Sequence, residues 1–424
     1  MKTRNPQPLL LVLIFLLPAP ALFSQTNPPV LTGLDRIVAD SFRVLRGKRL
    51  GVITNQTGVD RSGRHIVDLL HHARDVKLVA LFGPEHGIRG QAPAGEKVGS
   101  AVDSATGIPV YSLYGAHRKP TPAMLAGLEA LVFDIQDVGA RFYTYISTMA
   151  LAMEAAAEAG LEFYVLDRPN PLGDRVEGPL LAVEHRSFVG IHPIALQHGM
   201  TVGELARMFL GEGWITAAHD SGAARASWSK LQVIPVANWR RQQFHEATGL
   251  HWIPPSPNIP DAATALLYPG TCLLEATNVS EGRGTHRPFS LIGAPWLDAG
   301  KLAPRLRGLV EGVAVEAVEF VPGDIPGKAM NPKYEGQTCA GLALRVTDPQ
   351  KFPPVKFGVA LLHALQQLHP AEFRMRRDGM ARLAGVSWLQ EMIASGAPLA
   401  EIWQRLDDEA EGFRRLRQKY LLYE

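Results

Sequence analysis

Short apolar runs alternate with stretches of helical spacing from about Leu31 to Leu196. This alternation is typical of a parallel β-sheet whose strands are connected by helices. Tyr145–Ala159 is the clearest helix, because Ala, Leu, Met and Glu dominate it and Gly160 follows where a cap glycine is expected. The other predicted elements of this half are strands at Arg49–Thr54, Val76–Phe82, Pro109–Leu113, Ala130–Ile135 and Glu162–Leu166, and helices at His65–His72 and Pro122–Leu128.

The pattern becomes less regular in the second half of the chain. Thr201, with Glu204 three residues later, is the signature of a helix N-terminus. A proline-rich and aromatic stretch runs from Trp239 to Pro260, and strands are predicted at Glu316–Val321 and Leu342–Val346. The length of 424 residues suits two or three domains. We therefore predict an α/β fold with a parallel sheet domain followed by a second subdomain.

Each of the five predicted strands of the first half ends in a polar segment. Ligands of open α/β sheets bind outside the carboxyl ends of the strands, so we expect these segments to converge on one crevice. The alternative for any single segment is a capped turn without a function. The acidic residues of these segments are Glu85, Asp134, Asp137 and Asp167, and later loops add Glu275 and Glu281.

These carboxylates suggest two kinds of chemistry. Hydrolysis of a glycosidic bond uses two carboxyl groups, one to protonate the leaving oxygen and one to activate water or attack the sugar. The same acids with His86 would alternatively suit a divalent metal ion, since hard cations prefer oxygen ligands. Two plainer alternatives are that Glu85 is an acid of a turn, paired with His86 or Arg89, and that Asp137 caps the following helix.

Sequence signatures of several enzyme classes are missing. Residues 55–58 (NQTG) follow the first strand in place of a Gly-x-Gly-x-x-Gly turn, and no nucleotide-binding P-loop is present. No Gly-x-Ser-x-Gly elbow or His-Glu-x-x-His string occurs either. These absences disfavour enzymes that depend on NAD or hydrolyse nucleotides, α/β-hydrolases and zincins. We predict that the protein needs no cofactor and no metal.

Aromatic and basic residues are also frequent in or beside these loops. Sugar rings have apolar faces that stack on aromatic side chains. The aromatic residues in or beside the loops could therefore bind a sugar, and the alternative is that they pack in the core. They are Tyr114, Tyr143, Tyr145, Trp252 and Tyr268. Arginines are numerous for a site that binds a neutral sugar, and a guanidinium matches a carboxylate with two parallel hydrogen bonds. The alternative is an internal salt bridge to a nearby acid. These arginines are Arg89, Arg141, Arg168 and Arg283.

The first 24 residues are typical of a secretion signal, because Lys2 and Arg4 precede the apolar run Leu9–Leu17 and a segment rich in Pro and Ala. The alternative is an amino-terminal membrane anchor, but nine apolar residues fall short of the roughly 20 that span a bilayer, so no membrane span is expected after cleavage. Without Lys2 and Arg4, 41 basic and 41 acidic residues remain. This balance leaves no excess of positive charge that would favour binding to nucleic acid or to an anionic membrane. Cys272 and Cys339 allow one disulfide, and their redox state stays open.

Six motifs occur in order along the chain, namely GPEHGIRG at 83–90, FDIQDVG at 133–139 with RFYTY at 141–145, LDRPNP at 166–171, PSPN at 255–258, YPG at 268–270 and SEGRGT at 280–285. Together they resemble those of the exo-β-N-acetylmuramidase (NamZ-type) family. The resemblance extends from about Gly51 to Tyr423, and it implies a bacterial exported enzyme, periplasmic or secreted, that removes N-acetylmuramic acid from non-reducing ends of peptidoglycan fragments. It also implies a Rossmann-like domain, placed here at residues 25–230, and a second subdomain at residues 231–424, with the active cleft between them.

By its motif Glu85 is the best catalytic candidate, and Asp134 and Asp137 are the candidates for its partner. Two further hypotheses stay open, namely a cell-wall binding protein without catalysis and a metal-dependent amidase or deacetylase that acts on the same material. The predicted partner is a peptidoglycan-derived saccharide. The candidate substrate-binding residues are His86, Arg89, Gln136, Arg141, Tyr143, Asp167, Asn170, Asn258, Asn278, Glu281 and Arg283.

Overall fold

The computed structural model describes residues 28–85, 87–89, 101–215 and 228–424. The predicted signal segment 1–24 and the candidate His86 lie outside these residues. The strands are β1 Arg49–Thr54, β2 Lys77–Gly83, β3 Ala101–Val102, β4 Pro109–Ser112, β5 Ala130–Asp134, β6 Glu162–Leu166, β7 Glu177–Leu180, β8 Ala195–Gln197, β9 Leu231–Ile234, β10 Leu291–Ala294, β11 Val313–Phe320 and β12 Cys339–Val346.

Helices follow most of these strands, as the alternating pattern predicts. The α-helices are α1 Gly33–Ala39, α2 Ile66–His71, α3 Pro122–Leu125, α4 Tyr145–Ala159, α5 Val202–Gly211, α6 Ala262–Thr271, α7 Ala299–Leu306, α8 Pro354–Leu368, α9 Arg377–Ala384, α10 Trp388–Ala394 and α11 Leu399–Arg417. Short 3-10 helices occupy Arg43–Leu45, Val183–His185, His245–Thr248, Cys272–Ala276 and Gln418–Tyr420.

The main sheet has seven strands in the order β3-β4-β2-β1-β5-β6-β9. All neighbours in it are parallel except β3 and β4. Strands β2, β3 and β4 lie on one side of β1 in the sheet, and the later strands β5, β6 and β9 lie on its other side. The direction in which strands are added therefore reverses between β1 and β5. A crevice therefore opens at the carboxyl ends of these two strands. The predicted α/β fold with a parallel sheet is confirmed.

Alternate residues of the central strands pack on opposite faces of the sheet. Leu131 and Phe133 of β5 contact the apolar cluster that includes α4, whereas Val132 belongs to the cluster that includes α1 and α2. Every residue of β5 is buried. Burial on both faces explains why this strand reads as a continuous apolar run.

Strand β9 is an element that the apolar pattern did not reveal. It pairs with β6 at the edge of the main sheet, and its residues are only partly buried or exposed. An edge strand needs few apolar residues, so its sequence signal is weak. β9 begins directly after residue 230, where the domain boundary was placed, and that boundary stays a prediction.

The second half of the chain contains the antiparallel sheet β10-β12-β11, which packs against α6 and α7, and these two helices contact α8. Its buried residues belong to the same apolar cluster as α4, so the core is continuous between the two halves. Both cysteines are buried and free. Among the described helices, none combines the length and apolar character needed to cross a bilayer.

Candidate active site

A cavity of about 400 Å³ lies where the exits of β2, β4 and β5 meet the second half of the chain. The first half contributes Glu85, the loop after β4 and the segment 142–145 that leads into α4. The second half contributes side chains from α6, the 3-10 helix Cys272–Ala276 and α9. Strand exits therefore do converge on one crevice, although only some of their polar side chains reach it.

Glu85 lies in the loop that follows β2 and lines this cavity. The loop turns back closely, since a Cβ on Gly83 would lie 3.2 Å from the Cα of Gly87. Thr144 donates a hydrogen bond to Glu85 Oε2 at 3.4 Å, and Tyr114 also hydrogen-bonds to the carboxylate. Burial and the charge of Glu85 raise the pKa of Tyr114 to about 12, so its hydroxyl remains a donor at neutral pH.

Glu275 is a second carboxylate in the same cavity. It lies on the 3-10 helix Cys272–Ala276, and Arg283 Nη2 donates to its Oε1 at 2.8 Å. Arg283 also pairs with Glu281 at 3.4 Å. Arg283 thus lines the cavity with its guanidinium shared between two acids, and its contact with a substrate stays a prediction.

Asp134 does not reach the cavity. Its side chain is fully buried, and Arg168 from the next strand exit reaches back to bind both of its oxygens, at 2.6 and 3.0 Å. A carboxylate enclosed in this way has no access to a substrate. The structure therefore corrects the proposal of Asp134 as a catalytic partner, and Glu275 is the carboxylate that shares the cavity with Glu85.

Asp137 also points into the protein. Its Oδ2 accepts a hydrogen bond from the Gly139 backbone N–H at 2.7 Å and lies 3.5 Å from His198 Nε2. Gly139 has a φ of +82°, and a Cβ there would lie 2.5 Å from Asn170 Oδ1. Asp137 therefore stabilises a turn that requires glycine, which is close to the capping alternative considered from the sequence.

Asp167 and Asn170 support the backbone rather than the cavity wall. Asp167 is fully buried and accepts hydrogen bonds from Thr201 at 2.7 Å, from the Gly203 N–H at 2.8 Å and from Tyr423 at 2.5 Å. Burial raises its pKa to about 7 despite these donors. Asn170 bonds the carbonyl of Met200 and the N–H of Leu172.

Four further candidates occupy structural positions. Asn258 and Asn278 donate to the backbone carbonyls of Lys328 and Glu372, and Glu281 is held between Arg283 and Lys333. Gln136 donates to the carbonyls of Asp137 and Pro169 and lines a separate, smaller cavity. None of these four residues lines the cavity that holds Glu85, whereas Tyr143 does.

The arginines separate into a structural set and a cavity set. Arg141 is 1% exposed and donates to the backbone carbonyls of Pro179, Ile194, Leu383 and Ala384. Arg89 pairs with Asp68 and Asp103 outside the cavity. The prediction that Arg141 and Arg89 contact substrate is therefore corrected, because Arg141 is held by four backbone carbonyls, Arg89 is paired with two acids, and neither lines the cavity.

Arg118, Arg376 and Arg382 line the cavity instead, and sequence reasoning did not select them. Arg118 lies 4.5 Å over the Phe188 ring, and Arg376 donates to the Glu275 carbonyl oxygen. Within the described residues no carboxylate pairs with any of these three side chains. These three arginines differ from the others considered above in having no carboxylate partner, and only the folded chain shows this difference.

The described residues contain no group of three or more His, Cys, Asp or Glu side chains suited to a metal ion. Arg168 binds both oxygens of Asp134, and Arg283 binds Oε1 of Glu275. Two carboxylates, several tyrosines and unpaired arginines in one cavity are instead suited to binding an anionic sugar and cleaving its glycosidic bond.

Comparison with known proteins identifies the family. Sequence models of the N-terminal and C-terminal parts of the exo-beta-N-acetylmuramidase NamZ family match residues 50–263 and 266–423. The chain belongs to this family. The family resemblance of the sequence motifs is thereby confirmed, and the chain is a glycosidase.

Similar proteins match over nearly the whole length of the chain. The chain is 45% identical over 400 residues to the peptidoglycan beta-N-acetylmuramidase NamZ of Bacillus subtilis (strain 168), covering 94% of this chain and 92% of that protein. Two crystal structures of DUF1343 family proteins from Bacteroides fragilis NCTC 9343 match with TM-scores of 0.84 and 0.75, at 37% and 34% identity. They cover 93% and 94% of this chain and 99% of each of those chains.

Proposed function

We propose that the protein releases N-acetylmuramic acid from the non-reducing ends of peptidoglycan fragments, as part of cell-wall turnover and recycling, and that the sugar occupies the cavity beside Glu85. The observation that carries the proposal is the presence of Glu85 and Glu275 in one cavity of a NamZ family chain. Its volume of about 400 Å³ lies within the range of small-molecule sites.

In this proposal Glu85 transfers a proton at the glycosidic bond or at the attacking water. Tyr114 and Thr144 hold its carboxylate in place through hydrogen bonds, and Gly83 lets the loop fold closely behind it. Glu275 is the second carboxylate, oriented by the guanidinium of Arg283. Tyr143 and Tyr145 form part of the wall, where aromatic rings suit the apolar face of a sugar.

The direct test is release of free N-acetylmuramic acid from the disaccharide of N-acetylmuramic acid and N-acetylglucosamine by the purified protein. The assay contains a chelator and no added metal or nucleotide, because the proposed chemistry uses side chains alone. Release under these conditions is the expected result. No release would support the alternative of a binding protein without catalysis, and activity that returns only with zinc or manganese would support a metal-dependent hydrolase.

The lactyl carboxylate of muramic acid gives the unpaired arginines a function. The candidates are Arg376 and Arg382, because they line only this cavity, whereas Arg118 also lines a second groove. A neutral N-acetylglucosamine would leave such a guanidinium without an anionic partner in the bound complex. Binding of the lactyl carboxylate by Arg382 of α9 and by Arg376, the residue before α9, would thus make the enzyme prefer muramic acid.

Replacement of Arg382 by alanine should reduce this preference. A lost charge-assisted hydrogen bond costs about 1.5 to 3 kcal/mol, which corresponds to roughly 10- to 150-fold in kcat/KM. The measurement is the ratio of kcat/KM for matched chromogenic muraminide and glucosaminide substrates, in the wild type, in Arg382→Ala and in Arg376→Ala.

The matched control for this test is Arg377→Ala. Arg377 lies on the same helix, is exposed and does not line the cavity. We expect it to keep the wild-type substrate ratio. If Arg376→Ala and Arg382→Ala also keep the wild-type ratio while remaining folded, then these two arginines do not bind the carboxylate, and Arg118 is the next residue to replace.

The amino-terminal segment supports a further proposal, export of the protein to the periplasm or the medium. Its support is the basic start at Lys2 and Arg4 followed by the apolar run Leu9–Leu17. Export would place the enzyme where peptidoglycan fragments arise. Mass spectrometry of the protein recovered from the native host should show an N-terminus near Gln25, and an intact Met1 would contradict the proposal.

A further inference from the structure

The smaller cavity that Gln136 lines is at the point where the strand order of the main sheet reverses. It has a volume of about 110 Å³, and its wall contains Thr57 and Val59 after β1, Gln136 after β5 and Arg168 after β6. Residues 249–253 close its other side. Ligands of open α/β sheets bind outside the carboxyl ends of the strands at such a point of reversal. We call this space the β1–β5 pocket.

The β1–β5 pocket is separate from the cavity that holds Glu85. The two spaces have no lining residue in common. The segment 249–256 takes part in both walls, since residues 249–253 line the pocket and Ser256 lines the cavity. Gln56 holds this segment, because its Nε2 donates to the carbonyls of Pro254 and Pro255 at 2.8 and 3.2 Å. The pocket is therefore a distinct space rather than an extension of the active cavity.

Two polar atoms in the wall of the β1–β5 pocket have unused hydrogen-bonding capacity. Arg168 binds Asp134 through Nε and Nη2 and the Val59 carbonyl through Nη2, but its Nη1 makes no hydrogen bond with the described residues. Gln136 uses its Nε2 for two backbone carbonyls, whereas its Oε1 accepts no hydrogen bond from them. Neither atom is among the fully buried polar atoms that lack a partner, so both keep exposed surface. The pocket thus has one donor, fixed in place by Asp134, and one acceptor for a ligand.

The charge of this wall favours an anionic ligand. Asp60 is paired with Arg64 at 2.6 Å, and the charge of Arg168 is balanced by the carboxylate that it binds. Arg61 also lines the pocket, and its guanidinium donates from Nη1 to the Val30 carbonyl but pairs with no carboxylate in the described ranges. One positive charge is therefore left over among the acidic, lysine and arginine side chains of the wall. A guanidinium binds a carboxylate with strong charge-assisted hydrogen bonds.

The rest of the wall is apolar, and the space is small. Val59, Leu250 and Ile253 supply aliphatic groups, and the Trp252 ring packs edge-on against His245 with centroids 4.8 Å apart. Burial lowers the pKa of His245, so this ring adds no charge at neutral pH. A cavity of about 150 Å³ accommodates a benzene ring, so a pocket of about 110 Å³ suits a molecule of roughly six non-hydrogen atoms.

We propose that the β1–β5 pocket binds a small carboxylate with a hydrogen-bond donor beside the carboxyl group, namely an α-hydroxy or α-amino acid of the size of lactate or alanine. Arg61 and Arg168 Nη1 bind the carboxylate. Gln136 Oε1 accepts a hydrogen bond from the hydroxyl or ammonium group, and the methyl group packs against Val59 and Ile253. The inference does not rest on the proposed function, because no residue of the pocket lines the cavity that holds Glu85.

Isothermal titration calorimetry of the purified protein tests the proposal. Lactate and alanine, each as both enantiomers, are the probes, and a comparison of the two distinguishes the hydroxy acid from the amino acid. At least one of them should bind with a Kd of about 1 mM or lower. Lactamide and alaninamide keep the donor group but lack the carboxylate, so they should bind at least about tenfold more weakly.

Two variants locate the bound acid. Arg61→Gln removes an exposed positive charge and should raise the Kd by about tenfold. Val59→Phe fills the pocket while its polar groups stay in place, and it should abolish binding. The matched control is Arg240→Gln, at an exposed arginine that lines neither space, and it should keep the wild-type Kd. The bound acid should also raise the melting temperature of the wild type but not that of Val59→Phe.

Three results would overturn the inference. The first is that the wild type binds neither acid at concentrations up to roughly 10 mM. The second is that the amides bind as tightly as the acids, because the ligand would then not be a carboxylate. The third is binding that both Arg61→Gln and a folded Val59→Phe leave unchanged, because the acid would then bind elsewhere. Melting temperatures measured without ligand establish that the variants are folded, and none of these results depends on the release of muramic acid.

Discussion

Glu85→Gln should lower the rate of muramic acid release by about a hundredfold or more, which is the typical contribution of a general acid or base. Glutamine has nearly the same shape and still accepts hydrogen bonds from Thr144 and Tyr114, but it cannot accept and return a proton. The loss should therefore appear in kcat, with little change in melting temperature. The measurement is steady-state hydrolysis of the chromogenic muraminide with both proteins at equal folded concentration.

Glu184→Gln is the matched control for this substitution. Glu184 is an exposed glutamate on the 3-10 helix Val183–His185 and does not line the cavity. Its replacement should leave kcat at the wild-type value. A folded Glu85→Gln variant that retained more than a tenth of the wild-type rate would show that proton transfer is carried out by another group.

Asp134→Asn should destabilise the protein by about 3 to 5 kcal/mol, because it leaves the Arg168 guanidinium buried without a counter-charge. Arg168 is 6% exposed and Asp134 is fully buried, so water cannot replace the lost partner. The expected fall in melting temperature is on the order of 10 °C. Thermal unfolding followed by circular dichroism measures it, and kcat of the folded protein should stay near the wild-type value.

The double variant Asp134→Leu with Arg168→Met is the control for this prediction. It removes both charges and fills the space with apolar side chains, so it should be considerably more stable than Asp134→Asn. Glu311→Gln, at an exposed ion pair with Lys351, should not change the melting temperature. A folded Asp134→Asn protein with unchanged stability but a strongly reduced kcat would restore Asp134 as a catalytic candidate.

The elements of the main sheet were predictable because their residues carry the signal locally. β1, β6 and α4 have the bounds that the apolar pattern predicts, and Gly160 ends α4 with a φ of +67°. Thr201 and Glu204 form the capping box at the start of α5. Strand β9 was not predicted, because an edge strand is stabilised by pairing with β6 rather than by its own apolar residues.

The candidate site was predicted only in part. Glu85, Tyr143 and Arg283 line the cavity, as does Glu275, which the sequence marked only as an acid of a later loop. Asp137, Asp167 and Asn170 stand at strand exits just as Glu85 does, but they stabilise turns and helix starts. Polar side chains that bind the protein's own backbone and those that bind a ligand have the same residue types, so composition does not distinguish them.

The sequence by itself determined the alternation of strands and helices, the family and the motif that contains Glu85, because each of these depends on neighbouring residues. The tertiary structure decided which charged groups are available to a substrate. Arg168 lies 34 residues from Asp134 along the chain, and Arg141 reaches carbonyls more than 240 residues away. Folding brings Asp134 to Arg168 and backbone carbonyls to Arg141, and it places Arg118, Arg376 and Arg382, which pair with no carboxylate of the described residues, at the cavity.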